Sequence, residues 1–392
     1  MLQYVFQKEL AVISSIHWHG IRIDNAMDGV SGLTQAAVEP GQIFDYDFAV
    51  PDAGTYWFHA HNRSVEQVAR GLYGALVVEE RNAPDVDLDQ VLVLDDWRLD
   101  PDTAQINTDF SATHDRSHAG RTGNYVATNG TANLALTVRP NQRLRLRVIN
   151  AANARIFNLG LSGLKGWTIA EDGMPLEAIE DVDGSFLLAP GQRRDLIVDV
   201  EALAGEAAHL FRVDQEQAFT QVTFNVSGEE PIEPRPAPLP LPANPNMMIA
   251  GLGSGPQFQL KMEGGAMGAL QAAILNGART SFDDMAQANQ FWSFNNVVGM
   301  TETPLARLER GQTARVEIIN DTAFPHAMHL HGMHFREMLA NGATGPLRDT
   351  LLMFAGETRS IAFGADNPGK WLFHCHMLSH AESGMMTWVE VA

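Results

Sequence analysis

A segment near the front of the chain, VEPGQIFDYDFAVPDAGTYWFHAH (38–61), is written again near its end as MFAGETRSIAFGADNPGKWLFHCH (353–376). Both read as a turn, an alternating strand, a Pro/Gly turn and an aromatic strand closing in His-x-His. A second repeat pairs RVINAANARIFNLGL (147–161) with EIINDTAFPHAMHLH (317–331), and the shared Asn150 and Asn320 set its register. Internal repeats of this kind mark duplicated structural units. Elsewhere, short Val/Ile/Leu/Phe runs alternate with Gly, Pro, Asn and Asp, the pattern of strands and tight turns. The expectation is an all-β chain of three related sandwich domains, 1–82, 83–230 and 246–392. The Pro-rich stretch 231–245 reads as a semi-rigid extended linker. Only sixteen residues precede His17, so the first domain is expected to be truncated at its front.

The repeated strand ends carry the chemistry. Four His-x-His pairs occur: His17/His19, His59/His61, His329/His331 and His374/His376. Side chains two apart on a strand share a face, so each pair can offer two imidazoles to one metal cluster. Cys375, the single cysteine, lies between His374 and His376 and points to the opposite face. His326, His380 and Met385 add two imidazoles and a thioether. A thiolate with imidazoles and a weak thioether is the donor set of a blue-copper site, and imidazole clusters suit further copper ions. One short peptide would then join two copper sites covalently. A lone His-x-His is weak, and zinc competes for it; four pairs together with HCHxxxHxxxxM form a far more specific signal. In the central repeat the corresponding residues are Ile156, Leu159 and Leu161. These cannot hold a metal, so that domain is expected to be a copper-free spacer and a wall of the site.

On these motifs the chain resembles the three-domain bacterial multicopper oxidases, the laccase-like group, over nearly its whole length. The resemblance implies cupredoxin-like Greek-key domains and four copper ions. It implies a type 1 copper on His326, Cys375, His380 and Met385, and a type 2 copper on His17 and His329. The type 3 pair would take His19, His59 and His376 on one ion and His61, His331 and His374 on the other, with the trinuclear cluster between the first and third domains. The implied reaction is one-electron oxidation of a reductant at the type 1 site, relayed through Cys375 and coupled to reduction of dioxygen to water. Asp28 matches the place of a cluster-side carboxylate in relatives, with a role in feeding protons or orienting water. An ordinary turn aspartate before Gly29 is the alternative. Several relatives carry Glu directly after the second blue-site histidine, where this chain has Ala381. On strand alternation, Glu382 is not an obvious substitute for it.

Phenols and aromatic amines are the leading reductants, needing only to approach an exposed edge of His326 or His380. A metal ion, Cu(I) or Fe(II), is the alternative. Met262, Met267 and Met285 are scattered and read mostly as core residues. His114 and His118, in the polar THDRSHAGRTGN, read as a solvated loop. A formal net charge of −20 argues against nucleic acid or an anionic membrane as partner. No apolar run is long enough to span a bilayer. A monomer is expected. Periplasmic or secreted placement comes from family analogy alone, since no signal peptide is visible.

Overall fold

The computed structural model describes residues 1–252 and 254–392. The central unit packs a five-stranded sheet against a six-stranded one, and the C-terminal unit repeats that plan. The duplication shows in the connectivity. Leu88–Trp97 runs parallel to Arg143–Asn150, as Gln257–Gly264 does to Thr313–Asp321. Leu134–Val138 runs parallel to Gln217–Val226, as Ala306–Leu308 does to Met386–Val391. Parallel neighbours cannot be joined by a hairpin, so in each unit the chain crosses between sheets, as in a Greek key. The shared asparagines do the same work twice. Asn150 Nδ2 donates to the carbonyls of Arg155 and Leu188, both at 2.8 Å. Asn320 Nδ2 donates to those of Phe324 and Phe354, at 2.8 and 2.9 Å.

Alternation decides what each strand face meets. Along Arg143–Asn150, Leu144, Leu146 and Val148 enter the central unit's own core. Arg145 and Arg147 turn to the first unit, where they reach Glu80 at 2.7 Å and Thr55 at 3.0 Å. The first unit is smaller: Leu2–Gln7 pairs with Ile43–Phe48, and Ile16–His19, Gly54–Ala60 and Tyr73–Val78 form a three-stranded sheet. A smaller unit buries a smaller share of its surface on its own. Accordingly Ile16, Trp18, Tyr46 and Phe48 share one continuous apolar core with Met328, Phe335, Trp371 and Phe373 of the C-terminal unit. That shared core holds the first and third units face to face and positions the site between them.

The segment 231–245 contains no strand and lies along the units. The carbonyls of Ile232, Pro236 and Pro245 accept from Asn141, Arg143 and Arg22. Proline offers acceptors without competing donors. Among the described residues no helix is long and apolar enough to cross a membrane.

Candidate metal centre

Two antiparallel strand pairs present the histidines. His17 lies opposite His59 in one pair, and His329 lies opposite His374 in the other. Because side chains alternate, His329, His331, His374 and His376 face the histidines of the first unit, while His326 and Cys375 face the other way. Three trios result, His17/His19/His329, His19/His59/His376 and His61/His331/His374, with ligand atoms within 4.8 Å of one another in each. His326, Cys375 and His380 form a separate trio. There the two Nδ1 atoms are 3.1 Å apart and lie 3.6 and 3.8 Å from Cys375 Sγ. Met385 is buried in the same core, and its carbonyl accepts from the Cys375 N–H at 3.1 Å.

The ring tautomers suit metal binding. His17 Nδ1 donates to the Asp28 carbonyl at 2.9 Å, and His329 Nδ1 to the Asp349 carbonyl at 3.0 Å. His59, His374 and His380 make equivalent bonds to the carbonyls of Ala60, Cys375 and His118. A carbonyl only accepts, so each bonded nitrogen carries the hydrogen and the other presents a lone pair. His17 Nε2 and His329 Nε2 are buried with no hydrogen-bond partner, as is His19 Nδ1. Buried polar atoms are rarely left so; a cation among these lone pairs satisfies them. Fixing the outer nitrogen is how ligand histidines are held in place. Nitrogen clusters beside a thiolate fit copper.

Electrostatics agree. Burial, reinforced by neighbouring imidazoles, holds His19, His59, His331, His374 and His376 well below the ordinary histidine range. Burial lowers His61 to about 3 and His380 to about 4. All are neutral at neutral pH and available as ligands. Burial pushes the Cys375 thiol up to about 12, so a metal ion must displace its proton. A stability prediction follows for the metal-free protein. Unfolded histidines protonate near pH 6.5, so below that pH the unfolded chain binds more protons than the folded one. Stability is then full above about pH 6.5 and is lost progressively toward about pH 4. The urea midpoint of the metal-free chain should fall from about pH 7 to 5; a flat profile would contradict the buried neutral cluster.

Asp28 is fully buried, its carboxylate 3.0 Å from His331 Nδ1 and 3.2 Å from His17 Nδ1. A second carboxylate escaped the sequence reading. Asp349 Oδ1 lies 3.2 Å from His19 Nε2, and Arg193 bonds the same carboxylate at 2.7 and 3.0 Å. Arg193 also reaches the carbonyls of Thr55 and Gly191, so this node joins all three units beside the cluster. No motif surrounds Asp349; the only signal is a charged pair entering the apolar run RDTLLM. The turn at Gly191 adopts φ +87°, and a Cβ there would sit 3.0 Å from both His19 and His376. Only glycine allows the central unit to approach so closely.

Three sequence readings are corrected. His326 and His380 are fully buried and offer no exposed edge. His326 Nε2 meets Thr322 Oγ1 at 2.8 Å, and His380 Nε2 donates to the His118 carbonyl at 2.7 Å. The cover is the central unit's segment around Thr113–Ser117, so His114 and His118 do not belong to a free solvated loop. His114 is exposed, whereas His118 is half-buried against Phe324 at 5.6 Å. Strand motifs do not encode how one unit packs on another. Glu382 follows a helical turn, Leu378–Ala381, so strand alternation does not govern it. Its carboxylate accepts from the Val65 N–H at 3.0 Å and lines a pocket with His61 and His374. Met262 and Met285 are core residues, whereas Met267 is 67% exposed.

Sequence models of the multicopper oxidase family match residues 7–83, 89–224 and 276–392. The multicopper oxidase MmcO of Mycobacterium tuberculosis is 30% identical, over 95% of this chain and 76% of its own length. Copper resistance protein A of Pseudomonas syringae pv. tomato is 25% identical, over 98% of this chain and 85% of its own. The crystal structure of a multi-copper oxidase from Pseudomonas thermotolerans covers 100% of this chain and 89% of that one, at 31% identity and a TM-score of 0.84. With three cupredoxin-like domains and histidine clusters built to bind copper, the chain belongs to the multicopper oxidase family, oxidoreductases that use oxygen.

Proposed function

We propose that this chain is a laccase-like oxidase of phenols and aromatic amines carrying four copper ions. Type 1 copper would be held by His326, Cys375, His380 and Met385, and type 2 by His17 and His329. The type 3 pair would be held by His19, His59 and His376 and by His61, His331 and His374. When bound, copper supplies one-electron acceptance at the first site and reduction of dioxygen to water at the cluster. The carrying observation is the position of Cys375, whose side chain joins His326 and His380 while its two neighbours join the other trios. His374 Nδ1 also donates to the Cys375 carbonyl at 2.9 Å, which adds a hydrogen-bonded route to the covalent one. Units divided as 1–82, 83–230 and 246–392, and export from the cytoplasm, belong to the same proposal.

Burial of Met262 and Met285 supports organic reductants, since a dense thioether surface is what would suit Cu(I). The covered edges of His326 and His380 favour the second reading, a metal-ion reductant, because no incoming aromatic substrate can touch either imidazole directly. Oxygen uptake by copper-loaded protein, given a methoxyphenol and Cu(I) in parallel, separates the two. Brisk turnover of the phenol alone supports the laccase reading, and the reverse preference replaces it with the metal-ion reading. No uptake with either sinks both.

Asp28 holds two ligand rings by their outer nitrogens, which places it behind the metal rather than against it. We infer that it positions His17 and His331 and supplies a buried acceptor for protons beside the cluster. Asp28→Ala should lower oxygen turnover about 10- to 100-fold, the usual cost of losing such a partner, with the blue absorption retained. Full turnover in that variant would remove Asp28 from the mechanism.

A further inference from the structure

The segment that covers the Cys375 centre carries two imidazoles that the four-copper assignment does not use. His114 lies on the short helix Thr113–Ser117, and His118 caps its end. Residues four apart on a helical turn share a face. The two rings stack, with centroids 4.1 Å apart and planes 11° apart, so the exposed His114 must turn its ring before both imidazoles can reach one ion.

Hydrogen bonding sets the tautomer of His118. The Ser117 hydroxyl donates its one hydrogen to the Thr113 carbonyl at 2.7 Å. Its oxygen must therefore accept from His118 Nδ1, at 2.9 Å. With Nδ1 protonated, neutral His118 presents Nε2 as a lone pair. This is the arrangement that prepares a histidine to bind metal, one nitrogen fixed and the other free.

The backbone around the pair is held firmly. Three successive carbonyls bond to the C-terminal unit: Arg116 accepts from Trp292 Nε1 at 2.6 Å, Ser117 from the Ala266 N–H at 2.8 Å, and His118 from His380 Nε2 at 2.7 Å. Met267, the exposed member of the three methionines, adjoins Ala266. The chain's net charge of −20 favours cations near any such site.

We propose that His114 and His118 form a binding site for a late first-row transition-metal ion, copper foremost, outside the ligand set of the four-copper centre. Imidazole donors suit copper, nickel and zinc, and copper binds tightest in that series. The site stands on the outer side of the peptide whose carbonyl holds His380. It is thus where the metal-ion reductant of the second reading above would dock, and that placement rests on the assignment of His380 to the Cys375 centre.

The test adds Cu2+ alone to the four-copper protein and follows it by calorimetry and paramagnetic resonance. One further ion per chain is expected, with apparent affinity at least about tenfold weaker in both His114→Ala and His118→Ala, since each leaves a single donor and loses the chelate. Full blue absorption and four copper ions per chain before the addition confirm an intact four-copper protein in both variants. Ser117→Ala, which frees His118 Nδ1, should weaken binding by a smaller factor. Absence of a further ion, or an ion bound equally well by both variants, overturns the proposal. Failure to oxidise Cu(I) while the further ion still binds would instead remove the metal-ion reading and leave the site standing.

Discussion

Cys375→Ser is expected to abolish the blue absorption and bring oxygen uptake down to that of buffer, with copper content lower by one ion per chain. The reason lies in what the side chain faces. Cys375 is fully buried, and its sulfur is the only non-nitrogen donor in the trio with His326 and His380. Even the thiol is a reluctant acid there, pushed up to about 12 by burial, and copper must drive the proton off. A serine hydroxyl is a far weaker acid than a thiol, so it stays protonated and contributes neither charge nor sulfur. The strand should be undisturbed, because serine is smaller and the backbone pairing of Met328 with residue 375 involves no side chain. His374 and His376 then keep their places, and the histidine cluster should still load copper. Absorption, metal content and an oxygen electrode read these effects separately. Uptake retained alongside a lost blue band would mean that electrons reach the cluster without passing Cys375.

The largest effect on stability is expected from Asp349→Ala, about 3 kcal/mol or somewhat more in the metal-free protein, read by urea unfolding. The carboxylate pairs at 2.7 Å with the Arg193 guanidinium, and both side chains are essentially without solvent. Removing one partner strands a buried charge, which costs more than the intact pair contributes. Asp172 softens the loss. It sits 3.6 Å from Arg193, and its carboxyl is raised to about 7 by burial and by the Asp349 charge. Once Asp349 is gone, Asp172 ionises more readily and neutralises part of the charge, which puts the expected cost at the low end of the range. The double variant Asp349→Ala/Arg193→Ala should recover a measurable part of the loss. Copper uptake should weaken as well, because His19 loses the acceptor that orients its ring. A cost below about 1 kcal/mol would show that the node joining the units is not electrostatic in origin.

Local patterns carried much of the site. The i, i+2 spacing of His17/His19, His59/His61, His329/His331 and His374/His376 states which side chains share a face, because strand geometry leaves no freedom there. The same parity separates Cys375 from its neighbours. Asn150 and Asn320 could be aligned because each bonds to carbonyls within its own unit. Glu382 failed for a local reason: a strand rule was carried into Leu378–Ala381, where a tight helical turn had begun.

The chain's sequence alone determined three β units and the two faces of each ligand strand, since these follow from alternation and short-range hydrogen bonding; the grouping of the ligands into trios came only from the family resemblance. The tertiary structure decided what lies between units. It set Asp349 and Arg193 beside His19, brought Gly191 against the cluster, and laid His118 over His380. These contacts join residues more than a hundred positions apart, and nothing in the neighbourhood of either partner signals the other. Only packing the units onto a shared core makes them neighbours.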